Sequence, residues 1–158
     1  MEPDDLPWMS RALELARRAG LAGEVPVGAV LALGSELLAE GTNARESTFL
    51  PTAHAEIEAL RSFSRARRTW RLPPGATLYV TAEPCLMCTG ALLWARASRV
   101  VYGCADPRGA GLERQRPAIE AGVFDHRFEN VTGGVLADEA AALLKGFFAR
   151  RRAAPEPG

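Results

Sequence analysis

Segments with helical spacing and segments with strand-like spacing alternate along this chain, and no other feature of the sequence constrains the fold as strongly. The alternation predicts the order α-β-β-α-β-α-β, followed by a weak helix, an edge strand and a final helix. Chains in which helices separate the strands form sheets that carry helices on their faces. We therefore expect an α/β fold, a three-layer α/β/α sandwich around a central mixed sheet.

Turn residues and apolar periodicity place the predicted elements. Apolar residues at helical spacing predict helices over residues 8–19, 54–63, 84–95, 116–122 and 138–151. β-Branched and apolar runs predict strands over residues 25–33, 36–40, 77–82, 99–102 and 128–132. The first two strands form a hairpin around Gly34 and Ser35, and the polar residues 42–48 predict a loop.

Length and composition predict one globular domain. The chain has 158 residues, of which 47% are hydrophobic, and this is enough for a substantial core. We expect a single domain over residues 1–152 and a disordered tail over residues 153–158. No apolar run approaches the roughly 18 residues of a membrane span, and the acidic residues near the start do not resemble a signal peptide. The sequence therefore predicts a cytoplasmic protein with no membrane partner.

Two short motifs each follow an extended segment and stand at the start of a predicted helix: His54-x-Glu56 and Cys85-x-x-Cys88. In a reducing compartment, a Cys-x-x-Cys pair is typical of a metal or redox site. A catalytic zinc site takes three protein ligands of nitrogen and sulfur type and leaves the fourth position to water. His54, Cys85 and Cys88 supply such a set. A closed structural site would need Glu56 or the distant Cys104 as its fourth ligand, so an open site is the simpler interpretation.

The position of both motifs at helix starts suits metal chemistry. The positive end of a helix dipole stabilises thiolates and lowers their pKa. Residues two apart do not share one side of a regular helix, so His54 and Glu56 can reach one ion only from the first turn, with the ion beyond the helix end. Glu56 is then free to transfer protons instead of binding metal. His-x-Glu combined with Pro-Cys-x-x-Cys is the signature of zinc nucleobase deaminases.

The chain resembles the bacterial tRNA-specific adenosine deaminases over nearly its whole length. Four stretches carry the resemblance: residues 24–30, 51–56, 77–85 and 137–144. It implies a cytidine-deaminase-like fold, a homodimer, and hydrolytic deamination of adenosine to inosine at the wobble position (34) of tRNA. The base must be splayed out of the anticodon loop of the stem-loop for this reaction. The resemblance also implies one Zn²⁺ per subunit, held by His54, Cys85 and Cys88, with Glu56 as the proton shuttle.

Substrate contacts follow from the same resemblance. The substrate-binding residues that it implies are Val27, Asn43, Ala55, Asp106, Phe148 and Arg151. It also implies that Phe147 and the arginines at 150–152 help to hold the anticodon loop. After Asp106 the chain continues Pro-Arg-Gly-Ala-Gly-Leu, where the family usually has a longer loop of the kind Lys-Thr-Gly-Ala-x-Gly-Ser.

Two alternatives remain open at this point. A deaminase of a free nucleobase or nucleoside, such as guanine, cytosine or cytidine, would use the same zinc motif, because the metal acts on the ring carbon and not on what lies beyond the sugar. A structural zinc or RNA-binding module would use the metal only to stiffen the fold. The formal net charge of zero argues against a binder that depends on overall charge alone.

Other conspicuous residues favour ordinary structural roles. Cys104 ends an apolar strand and is expected to be a small buried residue. His126 has no partner at a metal-binding spacing and is expected in a solvated turn. The apolar residues of the helix over 84–95 are expected in the core: Met87, Leu92, Leu93 and Trp94.

Overall fold

A computed structural model describes residues 1–154, in which helices and strands alternate as predicted. The helices are α1 (Asp5–Leu21), α2 (Arg45–Thr48), α3 (Ala55–Arg67), α4 (Leu86–Trp94), α5 (Leu112–Glu120) and α6 (Ala137–Ala153). The strands are β1 (Gly28–Leu33), β2 (Glu36–Thr42), β3 (Thr77–Ala82), β4 (Arg99–Cys104) and β5 (Asn130–Thr132). Within residues 1–154 the strands form one sheet in the order β2-β1-β3-β4-β5. The pairs β2-β1 and β1-β3 are antiparallel and the pairs β3-β4 and β4-β5 are parallel, so the predicted mixed sheet is confirmed.

Helices cover both faces of the sheet, because successive side chains of the central strands point to opposite sides. Leu31 and Leu78 belong to a buried cluster with residues of α3 and α4. Val30 and Tyr79 belong to a separate cluster with residues of α1, and α6 packs on this second face as well. The predicted three-layer α/β/α sandwich is therefore confirmed.

Two glycines allow helices to approach the sheet closely. A Cβ at Gly28 would overlap the Ala12 carbonyl in α1. A Cβ at Gly41 would overlap the Ala55 carbonyl and the Ala59 amide nitrogen in α3. Gly41 thus sets the distance between β2 and the first turn of α3, which begins directly after His54.

A buried ion pair joins the start of α1 to β4. Arg99 donates two hydrogen bonds to the Asp5 carboxylate, from Nη1 to Oδ1 at 2.6 Å and from Nη2 to Oδ2 at 2.9 Å. Asp5 is 0% exposed and Arg99 is 7% exposed. A further hydrogen bond from Arg99 reaches Thr132 in β5, so this arginine ties the first helix to the two last strands of the sheet.

Several of the sequence-based boundaries need correction. The strand predicted from residue 25 begins at Gly28, and the helix predicted over residues 116–122 spans Leu112–Glu120. The predicted loop over 42–48 contains the one-turn helix α2, which forms because the buried Glu24 carboxylate accepts the amide hydrogens of Glu46 and Ser47. The helix predicted from residue 84 begins at Leu86, with Cys85 in an extended conformation at its N-cap. Ala153 belongs to α6 and not to the predicted tail, while residues 155–158 lie outside the described residues.

Trp94 and His126 also differ from expectation. Leu92 and Leu93 are buried as predicted, but Trp94 is 74% exposed. Three consecutive helical residues span an arc of about 200°, which is wider than the roughly 100° face that a helix turns to a core. His126 is half-buried, and its Nε2 lies 2.7 Å from the Ala97 carbonyl oxygen, so the turn around it is anchored to the segment between α4 and β4 and is not simply solvated. Cys104 is buried, as predicted. Within residues 1–154, no helix is long and apolar enough to cross a membrane.

Candidate metal and catalytic site

His54, Cys85 and Cys88 come together at one edge of the sheet. His54 is the N-cap of α3, Cys85 is the N-cap of α4, and Cys88 lies in the first turn of α4. Their ligand atoms all lie within 4.8 Å of one another. His54 Nδ1 faces both sulfurs, at 3.6 Å from Cys85 Sγ and 3.5 Å from Cys88 Sγ. Zinc bonds of 2.0–2.3 Å at tetrahedral angles place a nitrogen and a sulfur ligand about 3.6 Å apart, so the spacing of these atoms fits one tetrahedral ion.

The pKa values of the two thiols are also consistent with a cation-binding site. A hydrogen bond from the Cys88 thiol, aided by His54 and opposed by burial, lowers the pKa of Cys85 to about 4. The same hydrogen bond, together with burial and the charge of Glu56, raises the pKa of Cys88 far above its ordinary value. A cation between the two sulfurs would stabilise both thiolates, since metal ligands of this kind bind in the deprotonated form. The donor set fits a metal ion that is held by two thiolates and one imidazole.

Two helix N-termini point at this cluster. The backbone of α3 begins directly after His54 and that of α4 directly after Cys85, so the cluster meets the positive ends of both dipoles. His54 belongs to the cluster as the N-cap of α3, and Glu56, two residues later in the first turn, lines the same cavity.

Glu56 is the second residue of α3 and is 4% exposed. Burial raises the pKa of its carboxyl to about 7, against the lowering effects of its own backbone hydrogen bond and the charge of His54. A carboxyl with a pKa near neutrality can accept a proton in one step and release it in the next. The chemistry available to Glu56 is therefore proton transfer beside a bound cation.

The cluster opens into a cavity of about 730 Å³ between the sheet edge and α6. His54, Glu56 and Cys85 line its inner part. The cavity wall also contains the six residues that are predicted to bind substrate: Val27, Asn43, Ala55, Asp106, Phe148 and Arg151. The fold thus gathers side chains from six separate segments of the chain around one space.

Five cationic side chains line this cavity. They come from α2, from the loop between β4 and α5, and from α6: Arg45, Arg108, Lys145, Arg151 and Arg152. The chain as a whole has no net charge, so this concentration of positive charge is local. Phe148 lies among these cations, and its ring is exposed to the cavity.

Two of the predicted substrate residues also hold their own loops in shape. Asn43 is buried, and its Oδ1 accepts the amide hydrogen of Arg45 at 3.0 Å, as in a turn. Asp106 accepts two hydrogen bonds from Arg108 at its Oδ1, one from the backbone at 3.0 Å and one from Nε at 3.1 Å. These bonds from Arg108 hold the pKa of Asp106 below its usual value, so the carboxylate is charged at neutral pH.

The end of α6 departs from the prediction at two positions. Phe147 is buried against the core and makes an edge-to-face contact with Phe148, so its ring does not line the cavity. Arg150 also lies outside the cavity wall, whereas Arg151 and Arg152 belong to it. Arg151 additionally lies over the Phe147 ring and within 3.5 Å of Glu46, which links α6 to α2.

The sequence-based site missed several residues that line the cavity. They are Arg45, Glu83, Arg108 and Lys145. Lys145 could have been found, because Ala141, Lys145, Phe148 and Arg152 recur at helical spacing and predict one face of α6. Glu83 and Arg108 lie in loops, and Arg45 begins the one-turn helix α2. In such short segments no periodicity indicates which side chains face the site.

Comparisons with known proteins agree with this architecture. Residues 2–104 match the family described as the cytidine and deoxycytidylate deaminase zinc-binding region. The chain is 41% identical over 152 residues to the tRNA-specific adenosine deaminase of Bacillus subtilis, covering 96% of this chain and 92% of that protein. A solved structure from studies of A-to-I editing by tRNA:A34 deaminases superposes with a TM-score of 0.80 at 40% identity, covering 87% of this chain and 99% of that one. A guanine deaminase from Nitrosomonas europaea superposes with a TM-score of 0.79 at 30% identity, covering 94% of this chain and 85% of that one.

Fold and site together define an enzyme of the hydrolytic deaminase class, in which His-x-Glu and Pro-Cys-x-x-Cys motifs meet at two helix N-termini. The structural zinc module considered from the sequence is a different class and is not supported by these relatives. The chain belongs to the cytidine and deoxycytidylate deaminase family and, within it, to the tRNA-specific adenosine deaminases.

Proposed function

We propose that this protein hydrolyses the wobble adenosine (position 34) of a tRNA anticodon to inosine and ammonia. The observation that carries the proposal is the set of five cations around the cavity that holds the metal cluster. A free base carries no phosphate and needs no such charge, whereas an anticodon loop carries a phosphate at every nucleotide. The similarity to the tRNA-specific adenosine deaminase of Bacillus subtilis and to a tRNA:A34 deaminase structure supports the same substrate.

We assign one Zn²⁺ per subunit to His54, Cys85 and Cys88. When bound, zinc acts as a Lewis acid that lowers the pKa of water to near 7, so that hydroxide is available at neutral pH. The protein contributes the three donors, and the dipoles of α3 and α4 offset the negative charge of the two thiolates.

Glu56 is the proposed proton shuttle. Its carboxylate accepts one proton from the attacking water and delivers it to the purine ring nitrogen N1. It then accepts the second proton, from the new hydroxyl on C6, and delivers it to the departing amine, so that the C6 oxygen becomes a carbonyl. A bond forms between water oxygen and C6, the bond from C6 to the amino nitrogen breaks, and ammonia leaves. Burial excludes bulk water from Glu56, and a pKa of about 7 suits both directions of transfer.

The remaining predicted residues are proposed to hold the nucleotide. All six line the same cavity as His54 and Cys85. In this proposal Val27, Asn43 and Ala55 surround the flipped base, and Asp106, Phe148 and Arg151 contact the sugar, a neighbouring base and the phosphates. An aromatic ring beside arginines is a common platform for an unstacked base and its phosphate.

A free-base deaminase is the second candidate, and the similarity to the Nitrosomonas guanine deaminase favours it. The test is to incubate zinc-loaded protein with an anticodon stem-loop that carries a wobble adenosine and, separately, with adenosine, adenine, guanine, cytosine and cytidine, while ammonia is measured. A matched stem-loop with guanosine at the wobble position is the control. Ammonia only from the adenosine stem-loop supports the proposal. Ammonia only from a free base or nucleoside would mean that the substrate is that small molecule and not tRNA, with the same deamination chemistry.

We further propose that residues 1–152 form one deaminase domain that works as a homodimer in the cytoplasm, where reduced thiols such as Cys85 and Cys88 persist. Three exposed apolar residues that line one shallow pocket support the dimer: Trp94, Val123 and Phe124. Sedimentation of the wild type is expected to give twice the chain mass, and Trp94→Glu is expected to give the single mass, because a charge in an apolar interface is unfavourable. A wild type that sediments as a single chain at micromolar concentration would refute the dimer.

A further inference from the structure

We propose that Glu83 is a positioning residue, which fixes the loop between β4 and α5 against the turn that carries Cys85. Glu83 follows β3 directly and precedes the Pro-Cys-x-x-Cys motif. Its Oε2 accepts the amide hydrogen of Asp106 at 2.8 Å and its Oε1 accepts that of Glu113 at 2.9 Å. One carboxylate therefore holds both ends of the loop over residues 105–111.

The bond to Glu113 replaces a missing helix cap. Gly111 is the N-cap of α5 and has no side chain that could accept a hydrogen from the first turn, although its backbone is extended in the usual N-cap manner. The Glu83 carboxylate occupies that place from another element, and a Cβ at Gly111 would overlap it. The negative charge at the start of α5 also matches the helix dipole.

The loop that Glu83 holds forms one wall of the cavity. It presents Asp106, Pro107 and Arg108 to the space above the metal cluster. Within residues 1–154, the other hydrogen bonds of residues 105–111 stay inside the loop or reach the first turn of α5. A backbone hydrogen bond from the Glu83 amide to the Cys104 carbonyl fixes the end of β4 just before the loop, and the two bonds to the Glu83 carboxylate fix the loop itself relative to the turn that carries Cys85.

The structural role of Glu83 does not depend on the proposed function, but its expected effect on kinetics assumes that the stem-loop is the substrate. Loss of Glu83 leaves the metal donors and Glu56 in place but loosens a wall that contacts the substrate. Glu83→Ala is expected to raise KM for the stem-loop about tenfold, to change kcat by less than about threefold and to retain the metal. Glu120→Ala is the matched control. It removes a carboxylate from the last residue of α5, at the end of that helix away from the loop, and is expected to leave KM unchanged.

A second substitution makes the test specific. Gly111→Asp supplies a capping side chain for α5 from the N-cap residue itself. In the Glu83→Ala background it is expected to lower KM part of the way back to the wild-type value. As a single substitution it is expected to raise KM, because the new side chain overlaps Glu83. Amide hydrogen exchange at Asp106 and Glu113 is measured in parallel and is expected to accelerate in Glu83→Ala. Unchanged exchange, or equal losses of kcat and metal without rescue, would overturn the role of Glu83. If the wild type turns over no stem-loop, the proposed function fails, and the exchange measurement alone decides the role of Glu83.

Discussion

Glu56 is the residue on which the proposed chemistry depends most directly. It is almost fully buried beside His54 and the two thiols, and its pKa of about 7 allows both protonation states near neutral pH. The sequence could predict its position because a two-residue spacing at a helix start is a local feature. The sequence could not predict its pKa, since that value arises from burial by segments distant in the chain.

Glu56→Gln is expected to lower kcat on the stem-loop by at least about 100-fold, because general acid–base catalysis contributes a factor of this order or more. Glutamine keeps the shape of the side chain, so zinc content and stem-loop binding are expected to stay within about twofold of the wild type. Single-turnover kinetics, elemental analysis and a filter-binding assay measure the three quantities. A variant that keeps a tenth of the wild-type rate would remove Glu56 from the mechanism.

At the scale of elements, α6 combines packing and proposed binding on different faces. Phe147 packs on the core, whereas Lys145, Phe148 and Arg152 face the cavity. The sequence predicted an amphipathic helix with a basic end, but adjacent arginines point in different directions, and only the structure separates them.

Arg150 and Arg152 form a matched pair for testing this face. Both are exposed in the last turn of α6, but only Arg152 lines the cavity. Arg152→Gln is expected to weaken stem-loop binding and to reduce the slope of log K against log salt by about 1, since one phosphate contact is lost. Arg150→Gln is expected to leave that slope unchanged. Equal effects of the two substitutions would show that binding responds to overall charge and not to the cavity.

The first helix is held by the ion pair of Asp5 and Arg99, and this pair predicts a pH dependence of stability. Burial raises the pKa of Asp5, but hydrogen bonds from Arg99 and from the Glu2 amide outweigh it and keep the pKa below its usual value. A lowered pKa in the folded state means that the pair stabilises the fold above the unfolded-state pKa of about 3.9, and that this stabilisation is lost as pH falls further.

Asp5→Asn is expected to lower the free energy of unfolding by about 2–3 kcal/mol at pH 7. This is somewhat less than a broken buried pair usually costs, because Glu2 remains 3.4 Å from Arg99. Urea denaturation at pH 7, 5 and 3 measures the difference, which is expected to be constant from pH 7 to 5 and smaller at pH 3. A difference that grows on acidification would contradict the assignment.

At the scale of the whole molecule, the parts of the fold with local signals were predictable and the convergence of distant loops was not. The strand over 77–82, the hairpin and the two helix-start motifs follow from periodicity and spacing. Arg45, Glu83 and Arg108 line one cavity only because distant segments of the chain meet there. Trp94 is exposed, although a tryptophan in an apolar helix is expected in the core. These features depend on tertiary packing, which outweighs local propensity.

The core on both faces of the sheet does not include the metal donors His54 and Cys85, so the fold is expected to survive removal of the metal. A chelator is expected to abolish deamination while the far-ultraviolet circular dichroism spectrum stays the same and the melting temperature falls by several degrees. Added zinc is expected to restore activity. Loss of helical signal at the same chelator concentration that removes activity would mean that the metal is required for folding.

Position-specific detection of inosine in an intact tRNA tests the central claim most directly. A tRNA with adenosine at position 34 and at other loop positions is incubated with the zinc-loaded protein and reverse-transcribed, since inosine pairs as guanosine. We predict conversion at position 34 alone, with none from the Glu56→Gln variant. Unchanged adenosine at position 34, with ammonia released from free guanine or another free base by the same preparation, would contradict the account.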